Sequence, residues 1–298
     1  MSSILLIALL AQAAQAQPTP PSQLTVDASF APAFDKPDFN PGDKPIVLID
    51  EAHRNVISLQ TYLKPVAAWL EQLGYRTRPS RITADELPEP APGPRTILVI
   101  ANALAREGAP PDASAFSEEE VIAVESWVRD GGALLLVADR APFGGPAGAL
   151  AKAFGVTLDN NTILTKGADG KPTGELTIDV NQSGERLHPL FDRVLRIVYV
   201  VGESMNGPGV ILRAPDGSYS GPTAEATDGP SAAGKPLMLA FDHGKGRIVV
   251  IGDGGVVSAF GSRDGNSHRG ISEADNARFV RNVFLWLAQG RGAGGQEP

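Results

Sequence analysis

Three short clusters hold the side chains best suited to chemistry. The first is Asp50-Glu51-Ala52-His53-Arg54-Asn55, where two carboxylates, an imidazole and an amide fall within six residues. The second is Asp139-Arg140. The third is Asp253, followed by Gly254-Gly255. Each follows an apolar run: Ile46 to Ile49, Ala133 to Ala138, and the end of Arg247 to Ile251. Such runs mark strands buried on both faces. Ligands of open parallel sheets gather outside the carboxyl ends of the strands. Asp50, Glu51, His53, Asn55, Asp139, Arg140 and Asp253 are therefore the candidate ligand contacts, provided their strands are neighbours. Such a rim could hydrogen-bond a saccharide or peptide, or bind a divalent cation through carboxylates and His53. It could also run hydrolysis with His53 as general base beside Asp50 and Asp139. The same residues have structural uses: Asp50 and Asp139 as acceptors for loop N–H groups, Arg140 as their counter-ion.

Other signals are weaker. The chain has four His and no H-x-x-x-H spacing, so no cofactor is predicted and a divalent metal is the one left open. Gly202-Glu203-Ser204-Met205-Asn206 nearly matches a G-x-S-x-G nucleophile elbow, and Ser204, Asp253 and His268 follow hydrolase order. Its fifth position is Asn, however, and Gly207-Pro208-Gly209 stands where a helix is needed. Gly252-Asp253-Gly254-Gly255 lacks phosphate-loop spacing and reads as a tight turn. Asp275 is placed to cap a helix. Together with Asn276 it could approach the rim. Trp69, Trp127 and Trp286 sit among apolar helical partners and read as core.

The elements that position these residues alternate. A helical pattern runs from Ser58 to Leu73, with Pro65 inside it, so the helix is kinked or begins late. Tyr75 to Arg78 reads as a short edge strand and Thr96 to Ala101 as a buried one. Ser117-Glu118-Glu119-Glu120 is a capping box for a helix to Asp130, ended by Gly131-Gly132. A short helix spans Pro146 to Phe154. Residues 156–236 carry short strand-like pieces between Gly, Pro and Asp turns, a β-rich insertion. Leu237 to Phe241 and Arg247 to Ile251 form a hairpin, and a last helix runs from about Asp275 to Leu287. Strand–helix alternation of this kind makes an α/β fold with a mostly parallel sheet.

Bulk properties bound the rest. The 298 residues include no cysteine, which excludes disulfides, thiolate metal sites and Cys nucleophiles. A net charge of −8 without a basic run argues against nucleic acid as a partner. Ile4 to Leu10 followed by Ala14-Gln15-Ala16 reads as a secretory signal cut after Ala16, although its n-region has no Lys or Arg. The mature chain has no run long enough to span a bilayer and is expected in the periplasm or outside the cell. Residues 17–44 are Pro-rich and read as an extended or disordered lead-in, and 291–298 as a disordered tail.

Five stretches carry a family resemblance: VLIDEAHRN (47–55), WVRDGGALLLVADRAPFG (127–144), HPLFDRV (188–194), GKGRIVVIGDGG (244–255) and DNARFVRNVFLWL (275–287). Together they resemble class I glutamine amidotransferase-like domains of the DUF4350 type, related to ThuA-like and GldG-like proteins, over most of 45–290. The resemblance implies a flavodoxin-like three-layer sandwich with a mostly parallel sheet and a β-rich C-terminal extension. Active members of the wider superfamily carry a Cys nucleophile on a tight elbow after a central strand. Here Asp139-Arg140 matches that place, and neither replaces a thiolate in glutamine hydrolysis. The expectation is an exported, non-catalytic binding or accessory protein that takes a small molecule, a saccharide or an envelope protein.

Overall fold

The computed structural model describes residues 24–82, 87–90, 95–262 and 267–289. The predicted signal (1–16) and tail (291–298) lie outside them.

Seven strands make the central sheet. We label them β1 (Ile46–Asp50), β2 (Arg76–Ser80), β3 (Ile97–Ala101), β4 (Ala133–Val137), β5 (Val210–Arg213), β6 (Pro236–His243) and β7 (Gly246–Ile251). Their order across the sheet is β5-β6-β7-β4-β3-β1-β2. The pairs β7–β4, β4–β3, β3–β1 and β1–β2 are parallel, and β6 runs antiparallel to both its neighbours. The sheet is thus mixed and mostly parallel, as the alternating sequence pattern requires.

Helices cover both faces. On one face α1 (Lys64–Gln72) and α4 (Asn276–Ala288) bury Val66, Leu70, Phe279 and Val283 against Val47, Val99, Leu135 and Val249. On the other, α2 (Glu118–Asp130) and α3 (Gly144–Ala153) bury Val124, Val128 and Leu150 against Leu48, Leu98, Leu134 and Val250. Alternate strand residues point to opposite faces, so a strand buried on both must be apolar throughout. The five residues of β3 and of β4 are all buried.

Local chemistry sets the helix ends. The capping box of α2 is complete: Ser117 Oγ accepts from Glu120 N, and Glu120 Oε2 accepts from Ser117 N. Helix α1 begins at Lys64 with Pro65 in its first turn, where a missing N–H costs nothing. The stretch 58–63 forms turns instead, so this helix begins late. The 156–236 stretch supplies β5 to the sheet edge and builds small antiparallel pairs, such as Leu176–Asp179 with Arg196–Tyr199.

Two expectations need correction. The lead-in is not all loose: Leu24–Val26 pairs antiparallel with Ala259–Ser262, and Asp27 meets His268 at 2.7 Å. Phe30 packs edge-on against Trp69 with ring centroids 5.5 Å apart, and Phe39 packs on Tyr75 at 5.1 Å. Three aromatic residues in a Pro-rich stretch were enough apolar surface to dock it.

The second correction concerns Asp275 and Asn276, which do not approach the strand-end rim. Asp275 accepts from Leu195 N and Arg196 N instead of capping its own helix. Buried Asn276 accepts from Val198 N and donates to Val198 O and Gly270 O. Together they clamp the strand Arg196–Tyr199 to the start of α4. Asn276→Ala removes the partner of the Val198 N–H and C=O, while Gly270 O keeps the Glu273 N–H, and is expected to lower stability by roughly 2–4 kcal/mol in urea denaturation. A loss below about half a kcal/mol would show that the clamp contributes little.

Candidate functional site

Strand register decides which of the predicted residues meet. Ile251 of β7 is level with Val137 of β4, and Val137 with Ala101 of β3. Asp253 and Asp139 each lie two residues past this line, and Asn102 one past it. These three side chains therefore share one rim. Asp50 does not reach it: Ile49 is level with Val99, which pairs with Leu135, so Asp50 sits several residues short of Asp139.

The rim opens into a cavity of about 440 Å³, a size ordinary for small-molecule sites. Its walls are largely apolar: Ile57, Tyr62, Leu104, Phe143, Val200 and Phe260 are prominent. Asn102, Asp139, Arg140, Asp253 and Ser258 provide its polar side chains. Leu24, from the docked N-terminal strand, completes one wall.

Each carboxylate at the floor is pinned by main-chain N–H groups. Asp139 Oδ1 accepts from Arg140 N at 2.7 Å, and Asn102 Oδ1 accepts from Asp139 N at 3.0 Å. Asp253 Oδ1 accepts from Gly255 N at 2.7 Å and its Oδ2 from Val200 N at 2.5 Å. Gly254 N donates to Asp139 while its successor donates to Asp253, so the two carboxyls rest on consecutive peptide groups. Gly254 has to be glycine: a Cβ there would stand 2.8 Å from Asn102 Nδ2 and crowd Ile57.

Burial raises the Asp139 carboxyl from 3.8 to about 6, against the pull of the Arg140 guanidinium, the Arg140 and Gly254 N–H groups and the Asn102 amide. Asp253 is pushed well above the usual carboxylate range by burial and by Asp139, although the N–H groups of Val200, Gly255 and Val201 draw it down. Beneath them lies Glu203, fully buried and also pushed up by burial, then by Asp139 and Asp159. Its Oε2 accepts from Asn160 N, and a Cβ on Gly144 would come within 2.5 Å of that oxygen, so glycine opens α3 where the carboxyl passes.

Asp50, His53 and Asn55 form a separate network on the α2 side of the sheet. His53 Nδ1 meets Asp50 Oδ2 at 2.9 Å and Nε2 meets Glu120 Oε1 at 3.3 Å. Asn55 donates to Asp50 Oδ2 at 2.7 Å and accepts from Ala101 N. His53 O accepts from Leu104 N, and Val56 N donates to Asn102 O. The network therefore fixes the loop that brings Ile57 and Tyr62 to the cavity. Both ring nitrogens of His53 are occupied, and the ring is buried against Phe116 with centroids 4.2 Å apart. Glu51 stands elsewhere: its Oε1 accepts from Leu59 N, and it lines a groove at the sheet edge with Arg78 and Arg81. The seven predicted contacts thus divide into three places. Only Asp139, Arg140 and Asp253 face the cavity.

Ser204 is no exposed nucleophile. It is fully buried, donates to Asp159 Oδ2 at 2.6 Å and accepts from Asn161, while His268 pairs with Asp27. Among the described residues, no group of three or more His, Cys, Asp or Glu side chains is placed to hold a metal. No helix there is long and apolar enough to cross a membrane. Asn102 was missed, yet its signal was present. It directly follows the apolar run Thr96 to Ala101, as Asp50 follows its own run.

A family model described as a domain of unknown function, DUF4350, matches residues 63–283, well over half of the chain. The protein is a DUF4350 family member. Among solved structures, this DUF4350 chain is similar to the mmIFT52 N-terminal domain, with a TM-score of 0.58 and 14% identity, covering 82% of this chain and 98% of that one. At that identity the likeness shows the fold alone. ThuA-like proteins from Bacteroides uniformis and Parabacteroides merdae align with TM-scores of 0.45 and 0.43 at 14% and 16% identity. They cover 86% of this chain each, and 94% and 93% of their own. No curated protein matches the sequence.

Two pH-dependent outcomes follow for this DUF4350 site. Although burial opposes charge on His53, Asp50 and Glu120 outweigh it and raise its pKa above 6.5. A group raised on folding stabilises fully below its unfolded pKa and loses that contribution as pH climbs through the folded value. The stability gap between wild type and His53→Gln should therefore be largest below about pH 6.5 and narrow above it. A gap that widens with rising pH contradicts the charged network. For Asp139, carboxyl NMR should give a midpoint near 6, and Arg140→Gln should move it higher by removing the nearby cation. A midpoint unchanged or lowered in the variant would show that Arg140 does not act on Asp139.

Proposed function

We propose that this chain is an exported, non-catalytic amidotransferase-like module of the cell envelope that binds a small molecule at the carboxyl rim of its sheet. The flavodoxin-like three-layer arrangement belongs to this reading, and helices on both faces of the sheet support it. The observation that carries it is the cavity, apolar in its walls with a few converging polar groups. The amidotransferase resemblance matches Asp139-Arg140, at the cavity floor, to the position of the superfamily's thiol, and the absence of cysteine from the chain supports a non-catalytic role. Export rests on the apolar N-terminal run and the A-x-A pattern at 14–16.

One observation favours a hydrolase. A carboxyl titrating near 6 beside a cavity is suited to general acid–base work. Asp139 would then act itself, since both His53 nitrogens are bound elsewhere.

One experiment separates the two. Chain lacking residues 1–16 is screened by thermal unfolding against small molecules, and by turnover against ester, amide and glycoside panels. Binding predicts stabilisation that Leu104→Trp, which fills the cavity, abolishes. Turnover lost in a folded Asp139→Asn variant would replace binding by hydrolysis.

A further inference from the structure

Hydrogen-bond accounting at the cavity floor is lopsided. The two carboxylates are met. Asp139 takes N–H groups from Arg140, Gly254 and Asn102, and Asp253 takes them from Val200 and Gly255. Ser258 Oγ donates to Gly254 O at 2.6 Å. The donor side is different. Arg140 lines the cavity with its side chain about one-third exposed, and its closest charge is Asp139 Oδ1 at 3.7 Å. Among the described residues its guanidinium donates no hydrogen bond. Five N–H donors in a planar fork thus stand beside a cavity whose carboxylates already take N–H groups of the chain.

A ligand that completes this site must bring its own acceptors. A guanidinium fork matches a planar carboxylate with two parallel hydrogen bonds. The walls formed by Val56, Ile57, Leu104, Phe143, Val200 and Phe260 suit an apolar body. A dianionic phosphate fits less well, because it would sit against Asp139 and lose more hydration in an apolar pocket. An amine would meet Arg140 as a like charge.

From this we infer that the cavity binds a hydrophobic monocarboxylate, its carboxylate on Arg140 and its apolar body against the Ile57–Leu104–Phe260 walls. The inference deepens the binding reading above and rests on it.

The test uses octanoate, octan-1-ol and octylammonium as matched probes, titrated by calorimetry into the chain lacking residues 1–16. Octanoate should bind tightest. Arg140→Gln should weaken octanoate about tenfold or more by removing a charge-assisted pair, and octan-1-ol much less. Leu104→Trp and, separately, Val56→Trp should abolish both, with circular dichroism confirming that each variant folds. Equal affinity for octanoate and octan-1-ol, preference for octylammonium, or undiminished octanoate binding in Arg140→Gln overturns the carboxylate assignment. In those outcomes, probe binding that disappears on filling the cavity still supports the binding reading. If no probe binds at millimolar concentration, the carboxylate assignment fails. If Leu104→Trp also leaves the stabilisation seen in the wider screen intact, the cavity reading falls with it.

Discussion

The carboxyl edge of a parallel sheet leaves loop N–H groups beyond the last ladder bond, and each one buried needs an acceptor. This chain supplies carboxylates and an amide. Asp50, Asp139 and Asp253 each stand at or just past a strand end and tie down the loop that follows, and Asn102 accepts from Asp139 N at the end of the neighbouring strand. The loops so held become the walls of the cavity. Ordering the loops and creating a polar floor are one piece of chemistry.

The four acceptors are not equivalent, because register places them at different depths. Asp50 lies lower and is enclosed with His53, Glu120 and Asn55. Its charge is answered within the fold, and the network holds the loop after β1. Asp139 and Asp253 lie higher, on consecutive peptide groups, close enough that Asp139 disfavours ionisation of Asp253. The upper pair carries electrostatic tension and the lower set relieves it. Tension of that sort is common at binding and catalytic sites.

Much of the architecture was legible in the sequence. Unbroken apolar runs gave β1, β3, β4 and β7, and the rule that ligands gather at carboxyl ends led to Asp139, Arg140 and Asp253. The capping box at Ser117 and the late start forced by Pro65 follow from local chemistry alone. Register could not be read, because spacing along a chain does not say how far one strand slides past another. That is why Asp50 and Asp139 looked like one group. The partners of Asp275 and Asn276 are also long-range, reaching back nearly eighty residues to Leu195–Val198, and no local pattern announces them. At the N-terminus, proline content pointed to an extended segment, disordered or draped over the surface, and did not show that Phe30 and Phe39 would pack on Trp69 and Tyr75.

The strand Leu24–Val26 sits within a few residues of the predicted leader, yet Leu24 helps enclose the cavity. The placement of this strand and the shape of the cavity are thus coupled. Aminopeptidase trimming, a lipid anchor or an engineered fusion at this end would act directly on a wall of the binding chamber.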